Sequence, residues 1–196
     1  MKKFVLSIIF YFFFSSFTFS HVQHYSDINY LEYDLFRNNN LIGTHKYDFI
    51  RKGQDLTVKS EVNFKISKLG IDLYKYFAIS DENYKNGKFH SFSSKTKQNK
   101  KDKFVDIELN NEKNKLKIKG SSFTGDGNID YIVGTWWNHQ IIKAKAQISA
   151  ISGRIIEQKV VFLGKKKIDI DGKSYNSLHF KFLSSDESLP DNKKLN

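Results

Sequence analysis

The 196 residues include no cysteine, so disulfides, thiolate metal sites and lipid attachment at a cysteine are all excluded. The formal charge of +11 rests on lysine, with Arg37, Arg51 and Arg154 the only arginines, which weighs against the bidentate readout of a nucleic-acid binder. A lone proline (Pro190) and 15% aromatic residues suit long, unbroken strands in one domain with a real core.

Met1-Lys2-Lys3 is a short cationic start, and the run from Phe4 to Phe19 that follows carries no charge. Thr18 and Ser20 put small residues three and one positions before a cut after Ser20. Residues 1–20 therefore read as a secretory signal peptide. The alternative is an uncleaved N-terminal membrane anchor, because the run nears the ~18–20 residues that span a bilayer. The chain is expected to work in the periplasm or beyond. Loss of Lys2 and Lys3 with the signal leaves a formal +9, read as a solvated lysine face with weak attraction to anionic membrane surfaces. Residues 21–29 are a lead-in. Cleavage would make His21 the N-terminal residue close to His24, a pair that reads as a frayed terminus rather than a copper site.

From Tyr30 onward the side chains alternate with period two. In Leu56–Ile66, residues Leu56, Val58, Val62, Phe64 and Ile66 point one way, with Thr57, Lys59, Glu61, Asn63 and Lys65 opposite. Val105, Ile107 and Leu109 alternate with Asp106 and Glu108, and Leu116 and Ile118 with Lys115, Lys117 and Lys119. One apolar and one lysine-rich face predict an antiparallel sheet wetted on one side. Asn38-Asn39-Asn40, Lys52–Asp55, Asn86-Gly87 and Asn110-Asn111 are turns between these strands. Lys95–Lys103, with five lysines in nine residues, reads as an exposed hairpin tip.

Gly120–Asn128 is loop, and Thr135–Gln147 is the only segment that predicts a helix, with Thr135 as its N-cap. One short helix is too small to cover about ten strands, so the sheet is expected to curl on itself. The predicted fold is mainly β: a single curved antiparallel meander sheet, as a half-barrel or open barrel, with one short helix, over residues 30–183. Curled sheets of this size often keep an apolar cavity.

Asp171-Gly172, between Lys167–Ile170 and Ser174–Phe182, is the strongest hairpin signal. In its second strand Leu178, Phe180 and Phe182 alternate with His179 and Lys181. Residues 184–196 form a polar tail.

Phe36–His45, with its Ile42-Gly43-Thr44-His45 end, resembles the opening of a family of exported bacterial proteins known only as a domain of unknown function. Ile71–Tyr76 followed by Glu82–Lys88 is similar to that family's Glu-x-aromatic-x-x-Gly segment. Trp136-Trp137-Asn138, Ser152-Gly153-Arg154 and Gly164 resemble its later Trp-Asn and glycine turns. The resemblance spans Tyr30 to Phe182 in order. It implies an antiparallel half-barrel like those of periplasmic lipoprotein carriers, and no activity. After Phe182 the family pattern supplies further strands where this chain has its polar tail, which would leave Ser174–Phe182 as an unpaired sheet edge.

The six histidines are scattered without metal-ligand spacing. Gly125–Asp130 has acidic spacing faintly like a calcium loop but lacks the distal glutamate. No nucleophile elbow, phosphate loop or dinucleotide fingerprint is present. Glu82 with Tyr84, and Trp136–His139, are the clusters able to line a site, with roles at a strand end and a helix cap as their structural alternative. The candidate ligand-binding residues are Tyr74, Tyr76, Glu82, Tyr84, Trp136 and Trp137. The reading is a non-enzymatic binder of an apolar or amphipathic, lipid-like molecule in the sheet's concavity, with no cofactor and no metal. The alternative is an envelope protein-interaction module using the sheet edge or the lysine-rich face. A hydrolase or metal enzyme, which would require histidines to converge with an acid, has the least support.

Overall fold

The computed structural model describes residues 27–170, 172–185 and 188. The expected signal segment, His21, His24 and most of the polar tail lie outside the described residues. The chain is mainly β, as its alternation predicts. Eight strands form one antiparallel meander in the order β1-β2-β3-β4-β5-β6-β7-β8, and the sheet does not close. They are β1 (Tyr30–Arg37), β2 (Asn40–Lys52), β3 (Asp55–Lys68), β4 (Ile71–Lys85), β5 (Lys88–Gln98), β6 (Lys101–Asn110), β7 (Lys115–Gly120) and β8 (Thr124–Asn128). A second sheet of four strands has the order β12-β11-β10-β9, from β9 (Ile132–Val133), β10 (Ala146–Ile148), β11 (Ile155–Ile170) and β12 (Lys173–Ser184). Twelve strands in two sheets thus replace the ten expected in one.

The hairpins follow from turn chemistry. Asn38 and Asn39 (φ 50° and 63°) and Asn86-Gly87 (48° and 72°) adopt the paired positive φ that matches the twist of the flanking strands. Leu69-Gly70 (51° and 77°) does the same between β3 and β4, in a stretch whose sequence carries no turn cluster. The lysine-rich run from Lys95 to Lys103 is the end of β5, a tight turn at Asn99 and the start of β6. Thr96 within it is buried, which corrects the expectation of a wholly solvated tip.

Register aligns the inner face into rows. Phe49, Val58, Glu82, Phe92, Ile107 and Ile118 lie side by side across β2 to β7, and Glu82 is the single charged member. The neighbouring row on the same face reads Tyr47, Ser60, Ser80, Ser94, Val105 and Gly120. At Gly43 a Cβ would sit 2.0 Å from the Asn63 carbonyl oxygen, so β2 approaches β3 there only because the side chain is absent.

The inner face is covered by residues 129–153, mostly without regular structure. Val133 and Ile148 seal a core with Phe92, Val105, Ile107, Leu116 and Ile118. Trp137 seals another with Tyr47, Phe49, Leu56, Val58 and Tyr84. The expected helix over Thr135–Gln147 does not form. Trp136 takes a left-handed φ of 67°, which interrupts any helix, and the sole helical turn among the described residues is a 3₁₀ turn at His139–Ile142. Asn138 caps it, its Oδ1 accepting from the Gln140 N–H at 3.0 Å. Thr135, expected as the cap, is spent on the core instead. Gln158 closes the other end, its Nε2 donating to the carbonyls of Ile141 (2.7 Å) and Ala144 (2.8 Å).

Candidate functional site

Period-two alternation on β4 sends Glu82 and Tyr84 to the inner face together, and both are almost fully buried. Glu82 Oε1 accepts from the Tyr84 hydroxyl at 2.5 Å. Its Oε2 accepts from Thr135 Oγ1 at 2.9 Å and from the Trp137 indole N–H at 2.8 Å. Asn138 Nδ2 donates to the Tyr84 oxygen at 3.2 Å, and Tyr47 donates its hydroxyl to the Thr135 carbonyl at 2.6 Å. Burial pushes the Glu82 carboxyl above its ordinary value of 4.5, opposed by the bonds from Tyr84, Trp137 and Thr135. Burial, then the Glu82 charge, holds the Tyr84 phenol well above 10. Each carboxylate oxygen is already engaged by a donor of this chain. The cluster therefore works as a clamp that pins the covering segment to β4, with no oxygen turned to solvent as a proton acceptor.

Two clefts flank the clamp. One, of about 460 Å³, reaches Glu82, Tyr84 and Asn138 at its inner end and has Phe89, Leu109 and Val133 among its walls. The exposed Lys88 and Lys143 also line it, with the exposed Asp130, so the cleft has apolar walls and two cations against one exposed carboxylate. The other, of about 180 Å³, has Ser60, Ser80 and Ser94 in its lining with His45, Tyr76 and Trp136. The small side chains of Ser60, Ala78, Ser80 and Ser94 leave it room. His45 Nε2 lies 3.0 Å from Ser60 Oγ, its ring lies 4.2 Å from that of Tyr47, and burial lowers its pKa. Burial raises the Tyr76 phenol. A larger hollow of about 600 Å³ lies on the outer face. Its floor includes Asp48, Lys59, Asp81, Ser93 and Asp106 side by side, a largely polar row in which Lys59 pairs with Asp81 at 3.9 Å.

The structure divides the six sequence-predicted residues. Glu82, Tyr84 and Trp137 meet in the clamp, and Glu82 and Tyr84 also end the larger cleft. Tyr76 and Trp136 line the smaller cleft, where the exposed Trp136 also packs edge-on against Phe182 at 5.2 Å. Tyr74 joins neither cleft and tilts against Phe64 at 5.8 Å. Sequence reasoning placed Asn138 in the Trp136–His139 cluster but missed Thr135, read only as a helix cap, as a partner of the clamp, and missed the serine row. The row was visible as small residues at inward positions of three successive strands, but only register shows that they align. Among the described residues, no group of three or more His, Asp or Glu gathers to hold a metal, and no helix is long and apolar enough to cross a membrane.

No curated protein and no solved structure matches the chain. A family model matches residues 33–195, from β1 through β12 and into the polar tail that the resemblance had set apart. The chain belongs to the family described as Domain of unknown function (DUF6134).

Proposed function

We propose that this protein is an exported, non-enzymatic binder of an amphiphile with an acyl-like body and an anionic head, seated in the cleft of about 460 Å³. The observation that carries the reading is the make-up of that cleft. Its volume falls within the ~300–1,000 Å³ of small-molecule sites, and its walls combine Phe89, Leu109, Ile132 and Val133 with a few polar groups. Lys88 and Lys143 supply positive charge for a carboxylate or phosphate head. Glu82 and Tyr84, both engaged by donors within the clamp, offer a floor rather than a reacting group. Export rests on the cationic start and apolar run of residues 1–20.

The test is native mass spectrometry of protein purified from a periplasmic extract, followed by lipid extraction and titration with cis-parinaric acid. A bound mass of lipid size and saturable uptake, both lost in Leu109→Trp at unchanged melting temperature, are expected. A clean apo monomer that takes up no fatty acid overturns the reading.

A second reading, an envelope protein-interaction module, has the edge position of β12 in its favour, since among the described strands it pairs only with β11. Light scattering that finds a concentration-dependent dimer would support it, and a strict monomer would not.

A further inference from the structure

Beyond Gln158, β11 and β12 continue as a two-stranded ribbon that among the described residues pairs only with itself. Such a ribbon is marginal in water unless something covers it. The bulge at Leu163, where Gly164 takes a φ of 117°, lets Phe162 pair with Phe180 and Gly164 with His179. The apolar surface consequently changes face along the ribbon. Phe162, Phe180 and Leu178 share one face near the base, while Ile168, Ile170 and Tyr175 share the other face toward the turn. Ile170 is 52% exposed, Tyr175 48% and Leu178 59%, values a buried sheet never shows. Lys166, Lys173 and Lys181 stand on the face of Ile168, Ile170 and Tyr175, and Lys165 and Lys167 on the face of Leu178, against Asp169, which accepts from the Ser174 hydroxyl, and Asp171 in the sequence.

We propose that the β11–β12 ribbon docks the protein on an anionic lipid bilayer, with Ile168, Ile170 and Tyr175 entering the headgroup layer and the ribbon lysines pairing with lipid phosphates. Charge complementarity selects the occupant. The ribbon is net cationic, and the lysines surround exposed apolar side chains in the pattern that binds interfaces rather than water. Tyr175, opposite Ile168, presents the ring-and-hydroxyl chemistry that settles at headgroup depth. Lysine stems can lie along the apolar surface while their ammonium groups reach outward. A protein partner laid on a sheet would ask for one face apolar along its length, and the bulge denies the ribbon that. The inference does not rest on the cleft reading.

The test is flotation of the full mature chain with vesicles of phosphatidylcholine alone and with phosphatidylglycerol added, at low and high salt. Three variants at exposed positions leave the core untouched: Lys166→Gln/Lys173→Gln/Lys181→Gln, Ile170→Ser/Tyr175→Ser, and both together. The wild type is expected to bind the anionic vesicles selectively. The triple lysine change should weaken this on the order of 100-fold, since each lysine near a membrane surface is worth roughly five-fold. The Ile170/Tyr175 change should remove the binding that persists at high salt. Parinaric acid uptake should be unchanged in all three, which separates this outcome from that of the cleft. Equal flotation with both vesicle types, or variants that float like the wild type, overturns the proposal. So does a variant that keeps vesicle binding but loses self-association, which would make the ribbon a protein interface.

Discussion

The indole N–H of Trp137 donates to Glu82 Oε2 across 2.8 Å, joining residues 55 positions apart at the centre of the inner face. The same ring meets Phe49 edge-on at 5.6 Å and Tyr84 at 5.8 Å. One side chain thus fills the β2–β4 half of the core and supplies a donor to its only carboxylate. Removing the N–H while keeping an aromatic ring separates the two contributions. Trp137→Phe should cost about 2–3 kcal/mol, the range for a hydrogen bond to a buried charged group with some loss of packing. Urea denaturation of Trp137→Phe, Glu82→Gln and the double variant should show a coupling of about 1–2 kcal/mol between the sites. Strict additivity would mean that the bond contributes nothing.

Stability should fall as pH rises above the ordinary glutamate value. Burial raises the folded-state pKa of Glu82 above 4.5. From that value up to the folded one, the unfolded chain releases its proton while the folded chain keeps it, so deprotonation favours unfolding. The contribution is present at low pH and is lost as pH climbs through the folded value. In Glu82→Gln this part of the curve should be flat. Tyr84 acts with the same sign in the alkaline range, from 10 upward. Thermal melts across pH check this, and a wild type that gains stability relative to Glu82→Gln above pH 4.5 contradicts it.

His45 carries the opposite sign. Its pKa is lowered by burial, so its contribution is present above the ordinary value of 6.5 and is lost as pH falls through the folded one. His45→Gln should remove that acid-side loss while leaving the Glu82 limb unchanged, because the two residues lie in different rows of the sheet. Melts of this variant over the mildly acidic range provide the comparison.

Trp136 holds a left-handed backbone conformation that costs an L-residue about 1–2 kcal/mol. Its return is an edge-on contact with Phe182, of a kind worth about 0.5–1.5 kcal/mol. Trp136→Gly should therefore leave global stability within about 1 kcal/mol of wild type. It should also free the ribbon base, seen as faster amide hydrogen exchange in β11 and β12. Unchanged exchange there would show that the ribbon base is held by β10 and the Gln158 bonds without the Trp136 contact.

The small cleft offers a packing test. Ser80→Val adds apolar volume beneath Trp136 and should stabilise the protein by about 0.5–1 kcal/mol, as filling a hollow does elsewhere. Fatty-acid uptake in the larger cleft should be unaffected. A destabilised variant would show that the hydroxyl is part of the packing of the inner face.

The strands were legible from sequence because side-chain direction in a strand is a local property of the backbone. Leu56, Val58, Val105, Ile107, Leu116 and Ile118 all face the core as their alternation predicts. The Asn-Gly and Asn-Asn turns were legible for the same reason, since positive φ is tolerated residue by residue. Leu69 was not, because its left-handed φ is imposed by the pairing of β3 with β4 and not by its own preference. The segment Thr135–Gln147 is made of good helix formers, yet its fate depends on partners far away. Thr135 and Trp137 spend their polar groups on Glu82, and Gln147 bonds Gln158 in the second sheet. Alternation put Glu82 on the inner face. Only the folded arrangement decided that it would be enclosed by donors from a covering segment more than fifty residues downstream, because contacts at that range are set by how layers pack and not by any preference of the residues that make them.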